Sequence, residues 1–182
     1  MTRFEPLDED VEINGQTIRA MLEGVSRFSE RYQETVRAAL ATNGVVNPES
    51  DEWYPQRAWL DAFGELADRL EPHLLARIGE QIPETAEWPT GIAGVESGLR
   101  SIDRAYHRNH RGGDIGNYHV AEVADRTGTV RCSNPYPCPF DRGIIRSVAR
   151  AYAPVEAFVF VEETGDECRA EGGDRCTYTV HW

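Results

Sequence analysis

The sequence predicts an α+β fold in which an N-terminal helical layer packs on a C-terminal antiparallel sheet of about four strands with one inserted helix. Between residues 16 and 110, apolar residues recur every three or four positions, which is the period of an amphipathic helix. From residue 116 the period changes to two, as expected for strands with one buried face. Helical periodicity returns only between residues 139 and 152, so one helix interrupts the strands.

The first half of the chain contains the predicted helical layer. A long helix is expected over residues 16–42, two shorter segments over 55–70 and 74–82, and a further helix over 95–109. Proline and glycine set these limits, because proline starts or interrupts a helix and glycine closes one in the left-handed conformation. The residues concerned are Asn43-Gly44, Pro55, Pro72, Pro83 and Gly112-Gly113.

The second half contains the predicted sheet. Residues 117–124 and 129–132 are expected to form a hairpin around a turn at 125–128. Residues 155–162 are almost continuously apolar and rich in β-branched side chains, which predicts a central strand. In residues 176–182, Cys, Tyr, Val and Trp alternate with Thr, Thr and His, so a last strand with one buried side is expected.

The length and charge of the chain limit the number of domains and the kinds of partner to be expected. Its 182 residues suit one domain spanning 1–182, with a loosely held arm at residues 1–12. The 31 acidic residues outnumber the 19 basic ones, all arginine, and give a net charge of -12 spread along the chain. Such a surface repels phosphate backbones and anionic headgroups, so neither nucleic acid nor a membrane is an expected partner. This acidic, lysine-free composition also favours a halophilic source.

Four cysteines stand in two spaced pairs in the last third of the chain: Cys132, Cys138, Cys168 and Cys176. No run of 18 apolar residues occurs and residues 1–6 lack the apolar core of a signal peptide, so a cytoplasmic protein with reduced thiols is expected. In that compartment the cysteine pairs favour zinc, which binds four thiolates tetrahedrally. The spacings of five, 29 and seven residues match no common zinc finger, and buried reduced thiols or two disulfides stay open as alternatives.

The local sequence around these cysteines resembles a known family. A helix that opens with Cys138-Pro-Phe-Asp-Arg-Gly, an apolar strand, and a final Cys168-x7-Cys176-Thr-Tyr-Thr-Val resemble the vinyl-4-reductase-like domain. That domain belongs to a superfamily that also contains the TRAPP subunits and the haem nitric-oxide-binding domains. The resemblance is specific over about the last 70 residues and architectural before them. It implies a small-molecule pocket between the helical layer and the sheet, and frequent dimerisation.

The resemblance also implies a ligand set for the metal. In relatives that sense aromatic compounds, two C-terminal cysteines and one cysteine before the helix bind a structural zinc, and these correspond here to Cys168, Cys176 and Cys138. The fourth ligand in such relatives can be acidic, whereas this chain offers Cys132. A zinc site of four thiolates is therefore expected, with Glu167 as the substitute for Cys132.

A second cluster of chemically useful residues lies between residues 106 and 119, which contain three of the five histidines. The candidate lining of the pocket, suited to a small apolar or aromatic molecule, is Trp59, Phe63, Trp88, Tyr106, His110 and Tyr118. Aromatic residues at helical spacing are also typical of a core, and His107 and His119 fit a capped helix end. Because the Tyr-x-Ser-x-Arg signature of the haem-binding relatives is missing, haem is not expected.

These observations favour a non-catalytic, sensor-like domain that binds a small molecule and carries a structural zinc clip. No catalytic residues are predicted, since no nucleophile stands in a G-x-S-x-G context and no glycine-rich phosphate loop follows a strand. A homodimer is expected, and a sensor of this length needs a separate output protein. Two other classes stay open: a scaffold protein resembling the TRAPP subunits, and a metal-dependent enzyme with an open coordination position.

Overall fold

The computed structural model describes residues 4–182, and residues 1–3 of the predicted N-terminal arm lie outside this range. The described chain has the predicted α+β fold. Its helices are α1 (Gly15–Ser26), α2 (Glu30–Thr42), α3 (Gln56–Ala67), α4 (Pro72–Thr85), α5 (Val95–Asn109) and α6 (Cys138–Tyr152). Its strands are β1 (Glu12–Asn14), β2 (Trp53–Pro55), β3 (His110–Arg111), β4 (Asn117–Ala124), β5 (Thr127–Ser133), β6 (Phe160–Glu163) and β7 (Cys176–His181).

The main sheet has four antiparallel strands in the order β4-β5-β7-β6. The alternation expected for the last strand is present, because Cys176, Tyr178 and Val180 of β7 are buried while the residues between them are partly exposed. Helices α5 and α6 pack on the buried face of this sheet, and α4 packs on α6. The inserted helix thus lies in the middle of the molecule, between the sheet and the helical layer.

Helices α4 and α6 approach each other closely at two glycines. A Cβ atom at Gly143 would lie 1.9 Å from the carbonyl oxygen of Ala76, and one at Gly79 would lie 2.1 Å from the carbonyl oxygen of Phe140. Only glycine permits such an approach of two backbones. Because α6 begins at Cys138, this contact fixes the position of its first turn.

A second, three-stranded sheet of order β2-β1-β3 was not predicted, apart from a short strand over residues 11–13. Strand β1 pairs with β2 before α3 and with β3 after α5, so it joins segments that are far apart in sequence. Val11 and Ile13 are buried. The end of the segment predicted as a loose arm therefore packs into the fold.

Two predicted helix limits differ from the structure. Residues 16–42 form two helices, because α1 packs on α4 whereas α2 packs on α3, and the chain turns at Ser29, which has an extended backbone. Pro83 was expected to end its helix, but it lies in the last turn of α4, which continues to Thr85.

The central strand predicted over residues 155–162 is wrong in both length and position. Strand β6 covers only Phe160–Glu163 and lies at an edge of the sheet, because β7 occupies the place beside β5. A turn in which the amide of Ala157 donates to the carbonyl of Pro154 precedes it and leaves Val155 fully exposed. Within residues 4–182 no helix combines the length and the apolar character needed to cross a membrane.

Candidate metal centre and adjoining cavity

Four potential metal ligands from separate segments meet beside the first turn of α6. They are Cys138, the first residue of α6, Glu163 at the end of β6, Cys168 in the following loop and Cys176 at the start of β7. One ligand atom from each lies within 4.8 Å of all the others. The Sγ atom of Cys138 lies 3.1 Å from that of Cys176 and 3.5 Å from that of Cys168. This group, the metal group below, has the donors and the spacing for a single ion.

Local sequence explains why the segments converge. Cys138 lies between two prolines, with Pro137 in the extended conformation that precedes a helix. Cys168 accepts backbone hydrogen bonds from Glu171 and Gly173, around a short 3₁₀ helix (Arg169–Glu171) that Gly172 closes at a φ of 90°. The loop between β6 and β7 is thus folded back, which brings Cys168 next to Cys176.

The pKa values of the metal group are shifted because its acidic side chains lie close together and are partly buried. The hydrogen bond between the two thiols lowers the pKa of Cys176 to about 4 and raises the pKa of Cys138, so that Cys176 is a thiolate and Cys138 its donor. The amide and the charge of Arg169 lower the pKa of Cys176 further. Burial raises the pKa of both Cys168 and Glu163. The thiols of Cys138 and Cys168 therefore retain their protons when no cation is near, and a divalent cation would replace those protons.

Three of the expected ligands are together, and the fourth place is taken by a residue that the sequence did not suggest. Cys132 pairs with Cys176 across β5 and β7, is fully buried and lies outside the metal group. Glu167 instead forms an ion pair with Arg175, at 2.7 Å. The carboxylate of Glu163 occupies the fourth place. Three thiolates and one carboxylate are suitable ligands for zinc.

A cavity of about 40 Å³ lies between the helical layer and the sheet, on the other side of α6. Four of the six predicted lining residues surround it: Trp88, Tyr106, His110 and Tyr118. The other two, Trp59 and Phe63, are buried in the core beside it, and the ring of Phe63 contacts that of the lining residue Phe140 at 5.0 Å. Further lining residues that the sequence did not single out are Thr17, Met21, Ile82, Ala86, Ile102, Ala105, Asn109, Tyr136, Phe140 and Ile144.

The polar end of the cavity is built around His110. Its Nδ1 lies 2.9 Å from the carbonyl oxygen of Tyr106, so Nδ1 carries the proton, because a carbonyl only accepts. Nε2 therefore accepts from the hydroxyl of Tyr136, at 2.7 Å. Burial lowers the pKa of His110 to about 4, which keeps the ring neutral. Tyr136 also accepts from Gln56 Nε2 at 3.5 Å.

A buried polar network, the Asp141 network below, lies between the metal group and the cavity. Asp141 is fully buried in α6 and pairs with the guanidinium of Arg169, whose side chain is 12% exposed. Burial raises the pKa of Asp141 to about 6, although its partners favour the charged form. Tyr118 donates its hydroxyl to Asp141 Oδ1 at 2.5 Å, and Asn134 donates its amide to Oδ2 at 3.3 Å.

Comparison with known proteins identifies the fold. No protein-family model and no curated protein sequence matches the chain. An oxygen-binding H-NOX domain related to soluble guanylate cyclases matches with a TM-score of 0.65 and 14% identity, over 93% of this chain and 94% of that one. An H-NOX protein from S. oneidensis in the Fe(II)NO state has a TM-score of 0.65 and 13% identity, over 93% and 98% of the two chains. A point mutant of the T. tengcongensis H-NOX has a TM-score of 0.65 and 12% identity, over 93% and 97%. The chain therefore has the fold of the H-NOX domains.

Proposed function

We propose that this chain is a non-catalytic, sensor-like domain that binds a small molecule in its central cavity and holds a structural zinc ion beside it. The observation that carries the proposal is the metal group, which brings three cysteines and Glu163 from four segments to within 4.8 Å of one another. A zinc ion would join the start of α6 to the β6–β7 loop and to β7, and would neutralise the acidic members of the group. We place the chain among the vinyl-4-reductase-like domains, a narrower assignment than the H-NOX fold.

The cavity supports a ligand that is mainly apolar with one polar group. Its walls are aliphatic and aromatic apart from Thr17 and the end formed by Asn109, His110 and Tyr136. Two buried polar atoms of the neighbouring helix α3, Gln56 Oε1 and Trp59 Nε1, have no hydrogen-bond partner within residues 4–182. Buried polar atoms without partners are costly, so they mark places where a ligand or a water would form hydrogen bonds. A small aromatic or apolar molecule with a hydroxyl-sized polar group suits this chemistry, and an aromatic ring would enter the space of about 40 Å³ only by displacing side chains of the lining.

The residues present do not fit haem, although haem is a feature of the H-NOX family whose fold this chain shares. The cavity holds about 40 Å³, whereas pockets for ligands of drug size have about 300–1,000 Å³. Among the residues that line the cavity, His110 is the histidine, and its two ring nitrogens form hydrogen bonds with Tyr106 and Tyr136. An axial haem ligand needs one free ring nitrogen.

Native mass spectrometry at high salt tests the proposal, because it reports zinc, subunit number and any co-purified small molecule together. The expected result is one zinc per chain in the wild type and none in a Cys168→Ala/Cys176→Ala variant. A wild-type protein that is folded but contains no stoichiometric zinc would refute the zinc assignment. Absence of binding for every apolar and aromatic compound tested would refute the ligand assignment.

A metal-dependent enzyme is the second candidate, because a surface pocket of about 330 Å³ reaches Cys138 and Glu163 of the metal group. His73 and Arg142 also line this pocket. Cobalt substitution separates the two candidates. If the four protein donors close the site, added azide leaves the cobalt absorption spectrum unchanged, whereas an open position binds azide and changes it.

We further propose that the protein is a cytoplasmic homodimer from a halophilic source and signals to a separate output protein. The exposed side chains Val155 and Phe158 lie next to the edge strand β6 and support a dimer at this edge, since exposed apolar patches and edge strands are typical of interfaces. Sedimentation of the wild type and of a Val155→Glu/Phe158→Glu variant tests it. Equal sedimentation coefficients would refute a dimer at this edge.

A further inference from the structure

We infer that Arg169 couples the metal group to the ligand cavity, so that occupancy of the metal site sets the geometry of the cavity wall. The inference rests on the proposed function, and it assigns a positioning role to Arg169, which belongs neither to the metal group nor to the cavity lining. Its basis is a continuous set of contacts from the loop that carries the ligands, through the Asp141 network, to two tyrosines of the cavity.

Arg169 is tied to the metal group through its backbone. It directly follows Cys168, and its amide donates a hydrogen bond to Cys176 Sγ at 3.4 Å. It also begins the short 3₁₀ helix within the loop that joins two members of the metal group. Binding of an ion by Cys168 and Cys176 would therefore fix the backbone from which the Arg169 side chain projects.

The side chain of Arg169 is tied to the core. Its guanidinium donates to Asp141 Oδ2, to the carbonyl oxygen of Asn134 and, at 2.7 Å, to Asn134 Oδ1. Within residues 4–182, Arg169 is the residue that forms an ion pair with Asp141. A fully buried carboxylate that loses its partner is strongly unfavourable, so Asp141 and its neighbours must rearrange when Arg169 moves.

Two branches lead from this ion pair to the cavity. In the first, Tyr118 donates its hydroxyl to Asp141 Oδ1 at 2.5 Å, and its ring meets that of Tyr106 edge-on at 5.4 Å. In the second, the amide of Tyr136 donates to Asn134 Oδ1 at 2.9 Å. Tyr106, Tyr118 and Tyr136 all line the cavity. Any change at Asp141 thus reaches both the aromatic wall and the hydroxyl that binds His110.

Coupling of this kind is reciprocal, because a metal that favours one arrangement of the cavity is itself bound better when a ligand favours the same arrangement. A relay through α6 alone is the rival explanation, since Cys138 and the lining residue Phe140 belong to the same helix turn. The two explanations differ in whether Arg169 is needed.

Methionine methyl NMR provides a reporter inside the cavity. The chain has two methionines, and one of them, Met21, lines the cavity. Its methyl resonance is assigned by its absence from a Met21→Leu variant. Zinc is titrated into metal-free, methyl-¹³C-methionine protein, and binding is quantified separately with a chromophoric chelator. We expect the Met21 resonance to shift in proportion to bound zinc and to reach its end point at one zinc per chain.

The decisive variant is Arg169→Met/Asp141→Asn, in which no buried charge is left unpaired and residue 141 still offers an acceptor to Tyr118. We expect it to bind zinc with the same stoichiometry but to lose the zinc-dependent shift of Met21. Arg175→Met is the matched control, because Arg175 lies in the same loop and its partner, Glu167, is at the surface. It is expected to retain the full shift.

Three results would overturn the inference. If the Arg169→Met/Asp141→Asn variant keeps the full shift, the coupling runs through α6 and Arg169 has no part in it. If the wild type binds one zinc and Met21 does not move, metal and cavity are independent, and the zinc site of the proposed function stands without the coupling. A wild type that binds no zinc would instead refute the proposed function and this inference with it.

Discussion

Protonation of His110 is expected to make the stability of this protein depend on pH in a predictable way. In the folded chain His110 is buried, hydrogen-bonded on both sides and has a pKa lowered from 6.5 to about 4 by burial. As the pH falls below 6.5, the unfolded chain takes up a proton at this residue while the folded chain does not. The stability that neutral His110 provides is therefore fully present above pH 6.5 and is lost as the pH falls towards 4.

The magnitude follows from the two pKa values. Each pH unit between the two pKa values lowers the free energy of unfolding by about 1.4 kcal/mol. Over the whole interval from pH 6.5 to pH 4 the free energy of unfolding therefore falls by about 3 kcal/mol. At pH 5 the loss relative to pH 7.5 is about 2 kcal/mol. A loss of this size is a large fraction of the stability of a typical domain, which is about 5–15 kcal/mol.

Urea denaturation at pH 7.5 and pH 5 measures the effect, with His110→Gln as the test variant and His107→Gln as the control. His107 is half exposed beside Asp103, and its substitution leaves the buried ring in place. The wild type and His107→Gln are expected to lose about 2 kcal/mol more than His110→Gln over this pH range. The difference between the free energies of unfolding of two of these proteins no longer contains the pH dependence of the metal group, because that contribution is the same in all of them. Parallel pH dependence in the wild type and His110→Gln would show that His110 titrates normally, and the argument would fail.

Three further predictions concern the metal group and the helix contact. Glu163→Ala is expected to weaken zinc binding by more than about tenfold, measured in competition with a chelator, whereas Glu167→Ala is expected to leave zinc binding unchanged. The reverse order of the two variants would contradict the ligand assignment. Cys132→Ala is expected to keep one zinc per chain by metal analysis, while Cys176→Ala loses it, and loss of zinc in both would make Cys132 a ligand. Gly143→Ala is expected to lower the free energy of unfolding by about 1–3 kcal/mol, because its methyl group meets a backbone carbonyl 1.9 Å away. Gly24→Ala, whose methyl group would lie 3.2 Å from the Cβ atom of Gln81 and meets no backbone carbonyl of another described segment within 4 Å, is its control in urea denaturation.

Local pattern was sufficient for most of the fold, because periodicity reports which face of an element is buried. The change from a helical period to a period of two marks the real border between the helical layer and the main sheet. Strand β6 could not be placed in this way, since apolar content does not distinguish a central strand from an edge strand. The pairing of β7 with both β5 and β6 decides that position, and it depends on contacts distant in sequence.

The candidate site shows the same limit. Cysteine is rare enough that three members of the metal group could be named from spacing and resemblance, whereas Glu163 is one of 31 acidic residues. Its position depends on the register of β6, in which it pairs with Tyr178. Tyr136 was missed for a related reason, because it lies in a proline-rich loop without periodicity. Only the folded chain brings its hydroxyl to His110.

Helix α6 would connect the proposed structural metal with the proposed ligand cavity while keeping them separate sites. Its first turn carries Cys138 towards the metal group, Phe140 towards the cavity and Asp141 into the polar network between them. The glycine contact at Gly143 prevents this turn from shifting along α4. A metal ion that holds Cys138 therefore acts on the same rigid turn that forms the cavity wall. Because aromatic side chains already fill most of this space, a ligand has to be small, or has to displace rings whose positions, on the proposed coupling, would depend on the metal group and Arg169.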